Sequence, residues 1–400
     1  MGVSGTILTP LAGGGTRFGE GRLDWADGVL VDDERGDEVV EDLGRDGLLL
    51  VPGFVDAHIH LPQFRVRGQF QNALLPWLRE SIWPEEARFA DEAYRRTVAA
   101  EFRDALLAAG TTAAVVYGSP YVDSAFAVLE DLAPLCVRGG DVLMDRNSPD
   151  ELIRPAQTAL AQVREHAARW GERYVLTPRF VPTCTEELLS GLGEVLATTP
   201  VLCQSHVAEN LDEVEWVADL HPEARSYLDV YDQAGLLGPR TILGHGIHLD
   251  AVDLVRLQET GTWIAHCPTS NVALGSGRMP IEDLRAEGVR FALATDVGAG
   301  PDVSMLDVIA CFLDVQRDHH AAPTEGLMLA TLAGARAMGE GSRRGTLETG
   351  RAADVVGLRI PGGLRRDETG DAVLGRILES FSGRWDEAVA AVWLGGDRVR

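Results

Sequence analysis

From residue 48 onward, apolar runs of strand length alternate with stretches whose apolar positions recur every three to four residues, and this alternation sets the expected fold. The runs 50–58, 112–117, 174–178, 201–206, 241–245, 262–266 and 291–296 read as strands, all but 174–178 ending on a polar residue. Between them, 87–109, 149–170, 185–198 and 250–259 read as amphipathic helices, and 330–338 adds a further helical run. Such alternation predicts an α/β chain of parallel strands with crossover helices. The two ends have a different texture. Thr6-Ile7-Leu8-Thr9, Gly13-Gly14-Gly15 and Gly28-Val29-Leu30-Val31-Asp32-Asp33 read as short strands and hairpin turns, and the same pattern returns over 345–358 and 389–397. The predicted architecture is a (β/α)8 TIM-type barrel over 51–345, with a small β-sandwich domain built from both chain ends, 1–50 and 346–400. The Gly- and Arg-rich stretch 361–371 is expected to be a mobile loop, and the segment 64–83, carrying Trp77 and Trp83, to cover the barrel mouth chiefly by packing.

Composition narrows what such a barrel can do. With 400 residues and 45% hydrophobic content the chain can bury a large core. Acidic residues outnumber basic ones 61 to 36, a net charge of -25, which repels a polyanion and points to a small substrate rather than nucleic acid. No apolar run is long enough to span a membrane, and the N-terminus lacks a charged start followed by an apolar stretch, so a cytoplasmic protein is expected. Cys136, Cys184, Cys203, Cys267 and Cys311 form no C-x-x-C pair and read as reduced thiols. There is no lysine, so all 36 basic residues are arginine; a Schiff-base lysine and a carboxylated lysine bridging two metals are both ruled out.

The chemistry is concentrated at strand ends, where barrel enzymes place their active groups. Asp56-Ala57-His58-Ile59-His60 puts two histidines at i and i+2, on one face of a strand, which makes half a site for a borderline metal. A hydrogen-bonded histidine pair is the alternative. His206, His245 and Asp296 close three further strands, and five such residues converging on one mouth favour the metal reading. Glu209, three residues after His206 and at the opening of a helix, suits a proton shuttle; an ordinary acidic residue meeting the helix dipole is the other reading, and the one given to Asp212 and Glu213. His266 is taken as a supporting residue oriented by Asn271, and His221, His248, His319 and His320 as surface or loop histidines.

The phrase Val51-Pro52-Gly53-Phe54-Val55-Asp56-Ala57-His58-Ile59-His60, with His206, His245 and Asp296, resembles the amidohydrolase superfamily. Gln63, Thr177-Pro178-Arg179-Phe180, Gln204-Ser205-His206-Val207-Ala208-Glu209-Asn210, Ala265-His266-Cys267-Pro268-Thr269-Ser270-Asn271 and Thr295-Asp296-Val297 look like its guanine deaminase family, over nearly the whole chain. The resemblance implies one zinc per chain held by His58, His60, His206 and Asp296, although these donors suit iron as well. It implies hydrolytic deamination of guanine to xanthine and ammonia by a zinc-activated hydroxide, with Glu209, His245 and Asp296 catalytic. Gln63, Arg179, Phe180, His206 and Glu209 would contact the purine, with Arg179 and the Gln63 amide N–H as donors to O6 and the Gln63 oxygen free for a ring N–H. A homodimer is also implied. Two segments depart from the family pattern, the one after Asn271 and the one after Gln63, and are expected at the pocket mouth. The alternatives are a zinc deaminase of another heterocycle, such as 8-oxoguanine, a triazine or a pyrimidine, and a non-catalytic scaffold of the same fold. A complete set of ligand positions argues against the scaffold.

Overall fold

The computed structural model describes residues 1–32, 41–42, 47–70, 74–121 and 124–400. Asp33 of the expected hairpin and residues 71–73 of the expected cover lie outside the described residues.

Along the chain the strands are β1 (Gly2–Pro10), β2 (Thr16–Ala26), β3 (Val29–Val31), β4 (Glu41–Asp42) and β5 (Leu48–Pro52); then β6 (Phe54–His60), β7 (Thr111–Tyr117), β8 (Cys136–Gly140), β9 (Val142–Leu143), β10 (Val175–Pro178), β11 (Leu202–Val207), β12 (Thr241–His245), β13 (Trp263–His266) and β14 (Arg290–Leu293); and finally β15 (Val355–Arg359), β16 (Val389–Leu394) and β17 (Asp397–Arg398). The first and last groups form one eight-stranded sheet in the order β17-β16-β15-β5-β1-β2-β3, with β4 beside β1. Its hairpin turns Asp27-Gly28 and Gly395-Gly396 both hold positive φ at two central residues, as tight turns matched to strand twist require. The sheet doubles back on itself. Trp25 and Leu30, from one end of the strand order, share a buried cluster with Trp393 and Ala391 from the other, which gives the sandwich-like packing from a single hydrogen-bonded sheet.

The middle group closes the (β/α)8 barrel. β6, β7 and β8 pair in parallel, β9 through β14 pair in parallel, and a bridge from Gly139 to Tyr174 joins the two sets. Closure is made by the Asp296 N–H donating to the His58 carbonyl and the His60 N–H donating to the Val297 carbonyl, both at 2.9 Å. Helices cover the outside with their apolar faces: Leu160 and Val163 of one and Leu188 and Leu192 of the next share a core with Leu176 and Cys203 of the strands.

Three expectations are corrected. The apolar run 50–58 is two strands: β5 completes the small sheet, and the chain enters the barrel after Gly53, so a boundary at 50/51 falls inside β5. No strand was expected between 117 and 174, yet β8 and β9 supply the third barrel strand. Its Gly139-Gly140-Asp141 centre reads as a turn, but the glycines serve close packing, since a Cβ at Gly139 would stand 2.4 Å from the Val116 carbonyl oxygen. The expected β domain also contains a helix, Gly370–Ser380, whose Ile377 and Leu378 are buried in a cluster shared by the small sheet (Leu8, Leu358) and the barrel helices (Leu306, Leu327). Elsewhere capping sets helix starts: Asp91, Thr185 and Asp250 accept from the first-turn amides of helices Glu92–Ala108, Glu186–Thr198 and Ala251–Thr260.

Candidate active site

Strand alternation turns Asp56, His58 and His60 to the barrel interior while Val55 and Ala57 pack outward. The Nε2 atoms of His58, His60 and His206 face one another at 3.1 to 3.3 Å. Asp296 Oδ1 completes the group, 3.1 Å from His60 Nε2 and 3.3 Å from His58 Nε2. Three imidazoles cannot all satisfy one another across a single point. His206 Nδ1 donates to the Arg179 carbonyl at 2.5 Å, so its Nε2 carries a lone pair into the centre. Donors bound tetrahedrally at about 2.0–2.1 Å stand roughly 3.3–3.4 Å apart, so the donor set and its spacing fit a small divalent cation. Burial holds His60 down to about 4 and His206 well below the usual histidine range, the neutral state a metal ligand needs. Burial alone would raise the Asp296 carboxyl, but His58 and His60 hold it well below the usual carboxylate range.

His245 ends β12 with Nδ1 3.0 Å from Asn271 Oδ1, which leaves Nε2 3.4 Å from Glu209 Oε2 and 3.8 Å from Asp296 Oδ2. Asn271 therefore orients His245, not His266; both His266 ring nitrogens are buried without a partner. Glu209 precedes its helix, Leu211–Leu220, rather than opening it, because Asn210 is the N-cap. Its Oε1 accepts from Ser276 Oγ at 3.0 Å, and burial, with the negative Asp296 nearby, pushes its carboxyl up to about 8. Ser276 belongs to one of the two departing segments, which thus reaches the site. Ala208, His245 and Asp296 all have left-handed φ, 47°, 71° and 50°, a backbone strain concentrated around this one group of side chains.

Glu213 is also corrected. Asp212 is exposed, but Glu213 is buried and lines the cavity. Its Oε2 accepts from the Glu209 and Asn210 amides at 3.0 and 3.3 Å, and its Oε1 accepts from Tyr227 Oη at 2.6 Å. Asn210-x-x-Glu213 is capping-box spacing, the signal by which sequence reasoning could have found it.

The cavity above the cluster is lined by Gln63, Arg179, Phe180, His206, Glu209 and His245 together with Trp77 and Leu274. Trp77, expected to pack, does both, sharing an apolar cluster with Phe180 while facing the cavity. Phe180 itself meets Trp216 edge to face, with ring centroids 6.2 Å apart. The Gln63 Nε2, expected to serve a ligand, is held by Glu86 Oε1 at 3.1 Å. None of residues 361–371 lines the cavity, and Arg376 pins that stretch through the Pro361 and Gly363 carbonyls and Glu368. His221 is buried rather than on the surface, its Nε2 accepting from Arg146 at 3.0 Å.

Asp56 holds this geometry together. Its Oδ1 accepts from the His58 and Thr295 amides, each at 3.1 Å, and its Oδ2 from Thr295 Oγ1 at 2.5 Å, which ties the first barrel strand to the segment after the eighth. Burial raises its carboxyl to about 6, with Thr295 opposing the rise. In Asp56→Ala the two amides lose their acceptor at about 1–3 kcal/mol each. The expected result is a lower urea midpoint for unfolding and weaker metal retention; an unchanged midpoint would refute this account of closure.

Residues 49–399 match the model of the amidohydrolase family. The chain is 39% identical over 384 residues to the probable guanine deaminase of Deinococcus radiodurans, covering 91% of this chain and 86% of that one. Its structure superposes on the guanine deaminase of E. coli with a TM-score of 0.92 at 31% identity, over 100% of this chain and 99% of the other. It also superposes on the guanine deaminase from C. acetobutylicum, solved with guanine bound in the active site, with a TM-score of 0.90 at 26% identity and coverage of 100% and 99%. The chain therefore belongs to the amidohydrolase family, and within it to the guanine deaminases.

Proposed function

We propose that this protein hydrolyses guanine to xanthine and ammonia. One observation carries the reading: a cluster of metal-type donors and a wall bearing Arg179 and Gln63 line the same small cavity. The related guanine deaminases, and the neighbour with guanine in its active site, support it.

Zinc held by His58, His60, His206 and Asp296 would supply the Lewis acidity that makes water nucleophilic near neutral pH. We assign the remaining work to this chain's own groups. Arg179 and Gln63 hold the O6 and N1–H edge of guanine, which turns C2 and its amino group toward the cluster. His245 and Asp296 orient the attacking water and receive its proton. Glu209, kept protonated by its buried setting, donates to N3 as water adds to C2, and a proton then goes to the departing amine as the C2–N bond breaks. Phe180 and Trp77 shield the ring from solvent. Adenine would set a donor against Arg179, and a buried polar group left unpaired costs about 1–3 kcal/mol. The reading extends to a cytoplasmic homodimer working in purine catabolism; no described helix is long and apolar enough to cross a membrane.

The test is ammonia release from guanine with 8-oxoguanine, adenine, cytosine and ammeline in parallel. Guanine turned over far faster than the rest is the expected result. An inert guanine beside a reactive alternative overturns the substrate and leaves the metal chemistry standing.

A further inference from the structure

The wall that reads the purine edge does not stand alone. Glu86, on the short helix Trp83–Ala87 after the first barrel strand, lies behind both of its side chains and is 1% exposed. Arg179 Nη1 donates to its two oxygens at 2.8 and 2.7 Å, and Gln63 Nε2 donates to its Oε1 at 3.1 Å. On its other side, Gln63 Oε1 lies 3.4 Å from the Gly298 N–H. That approach depends on a glycine, since a Cβ at residue 298 would stand 2.8 Å from Gln63 Cβ. A carboxylate can only accept and a backbone N–H can only donate, so the polarity of the Gln63 amide is set from both ends. Its nitrogen is drawn toward Glu86, and its oxygen keeps a lone pair for a ligand. Arg179, with Nη1 committed, keeps Nε and Nη2 as donors.

We propose that Glu86 is a specificity-determining positioning residue, which fixes the wall as a donor beside an acceptor. That order matches a ring N–H next to a carbonyl, the cyclic-amide edge of a 6-oxopurine. It opposes a ring nitrogen next to an amino group, the edge of a 6-aminopurine. The inference rests on the guanine reading above and adds to it the origin of the choice. A glutamine at position 86 offers an amide that can turn either way, so the polarity of Gln63 then rests on the longer contact to the Gly298 N–H alone, and Arg179 loses its counter-charge.

The experiment compares guanine with 2,6-diaminopurine, which carries the same reactive 2-amino group and differs at the recognised edge. In Glu86→Gln, the ratio of kcat/KM for guanine over 2,6-diaminopurine is expected to fall about tenfold or more, mostly through KM for guanine, with bound metal per chain unchanged. Glu86→Asp, which keeps the charge but shortens the reach to Gln63, is expected to lower the ratio by a smaller factor and serves if the glutamine variant does not fold. An unmoved ratio, whether activity falls or not, overturns this inference alone and leaves Glu86 as a structural ion pair. If the parent protein does not turn over guanine, the functional reading falls and this inference with it.

Discussion

Glu209→Gln is expected to cut turnover of guanine by about 10²- to 10⁴-fold while leaving metal content and KM near their starting values. Glutamine has the shape of the protonated acid, and its amide oxygen can still accept from Ser276 Oγ, as Glu209 Oε1 does at 3.0 Å. What it cannot do is release and recover a proton beside the reacting ring. The buried setting that pushes the Glu209 carboxyl up to about 8 already favours the neutral form, so the substitution hardly changes the charge of the resting site. The loss should fall on kcat, read as ammonia release under saturating guanine, with metal quantified in the same samples. A kcat within a few-fold of the parent would move the proton transfer to another group, and His245, 3.4 Å from Glu209 Oε2, would be the next candidate.

The sequence showed the donor cluster because each ligand ends an apolar strand, where a polar residue stands out against its neighbours. That signal groups His58, His60, His206, His245 and Asp296, and the family resemblance implies which four of them bind the metal; the structure brings the donor atoms of His58, His60, His206 and Asp296 within 4.8 Å of one another. The residues that hold them were harder to find, since their partners are distant in the chain. Glu86 lies 93 residues from Arg179, and Asp56 lies 239 from Thr295. Nothing local distinguishes Glu86 from its neighbour Glu85 in Trp83-Pro84-Glu85-Glu86; only the fold turns one toward the cavity wall. The third barrel strand was obscured for a related reason. A Gly-Gly pair looks like a turn when the chain is read alone, and becomes a packing requirement once Val116 and Val175 lie on either side.

Removing the metal is expected to abolish deamination and to lower the unfolding temperature together. With the cation gone, the Nε2 atoms of His58, His60 and His206 still converge at 3.1 to 3.3 Å with Asp296 beside them, and neutral rings can share too few protons to satisfy every lone pair. Binding restores that balance in the folded state only. At a free zinc concentration 1,000 times Kd the gain is about 4 kcal/mol, less whatever zinc binds to the unfolded chain. A chelator-treated sample should therefore show no ammonia release and an earlier melt, with both recovered on adding zinc. His206→Ala, lacking one of the three nitrogens, should recover neither at the same concentration. Ferrous iron added in parallel under anaerobic conditions decides between the two metals that this donor set accommodates. Full activity at metal contents well below one per chain would separate the cluster from the chemistry, because water would then be reaching C2 with no Lewis acid to activate it.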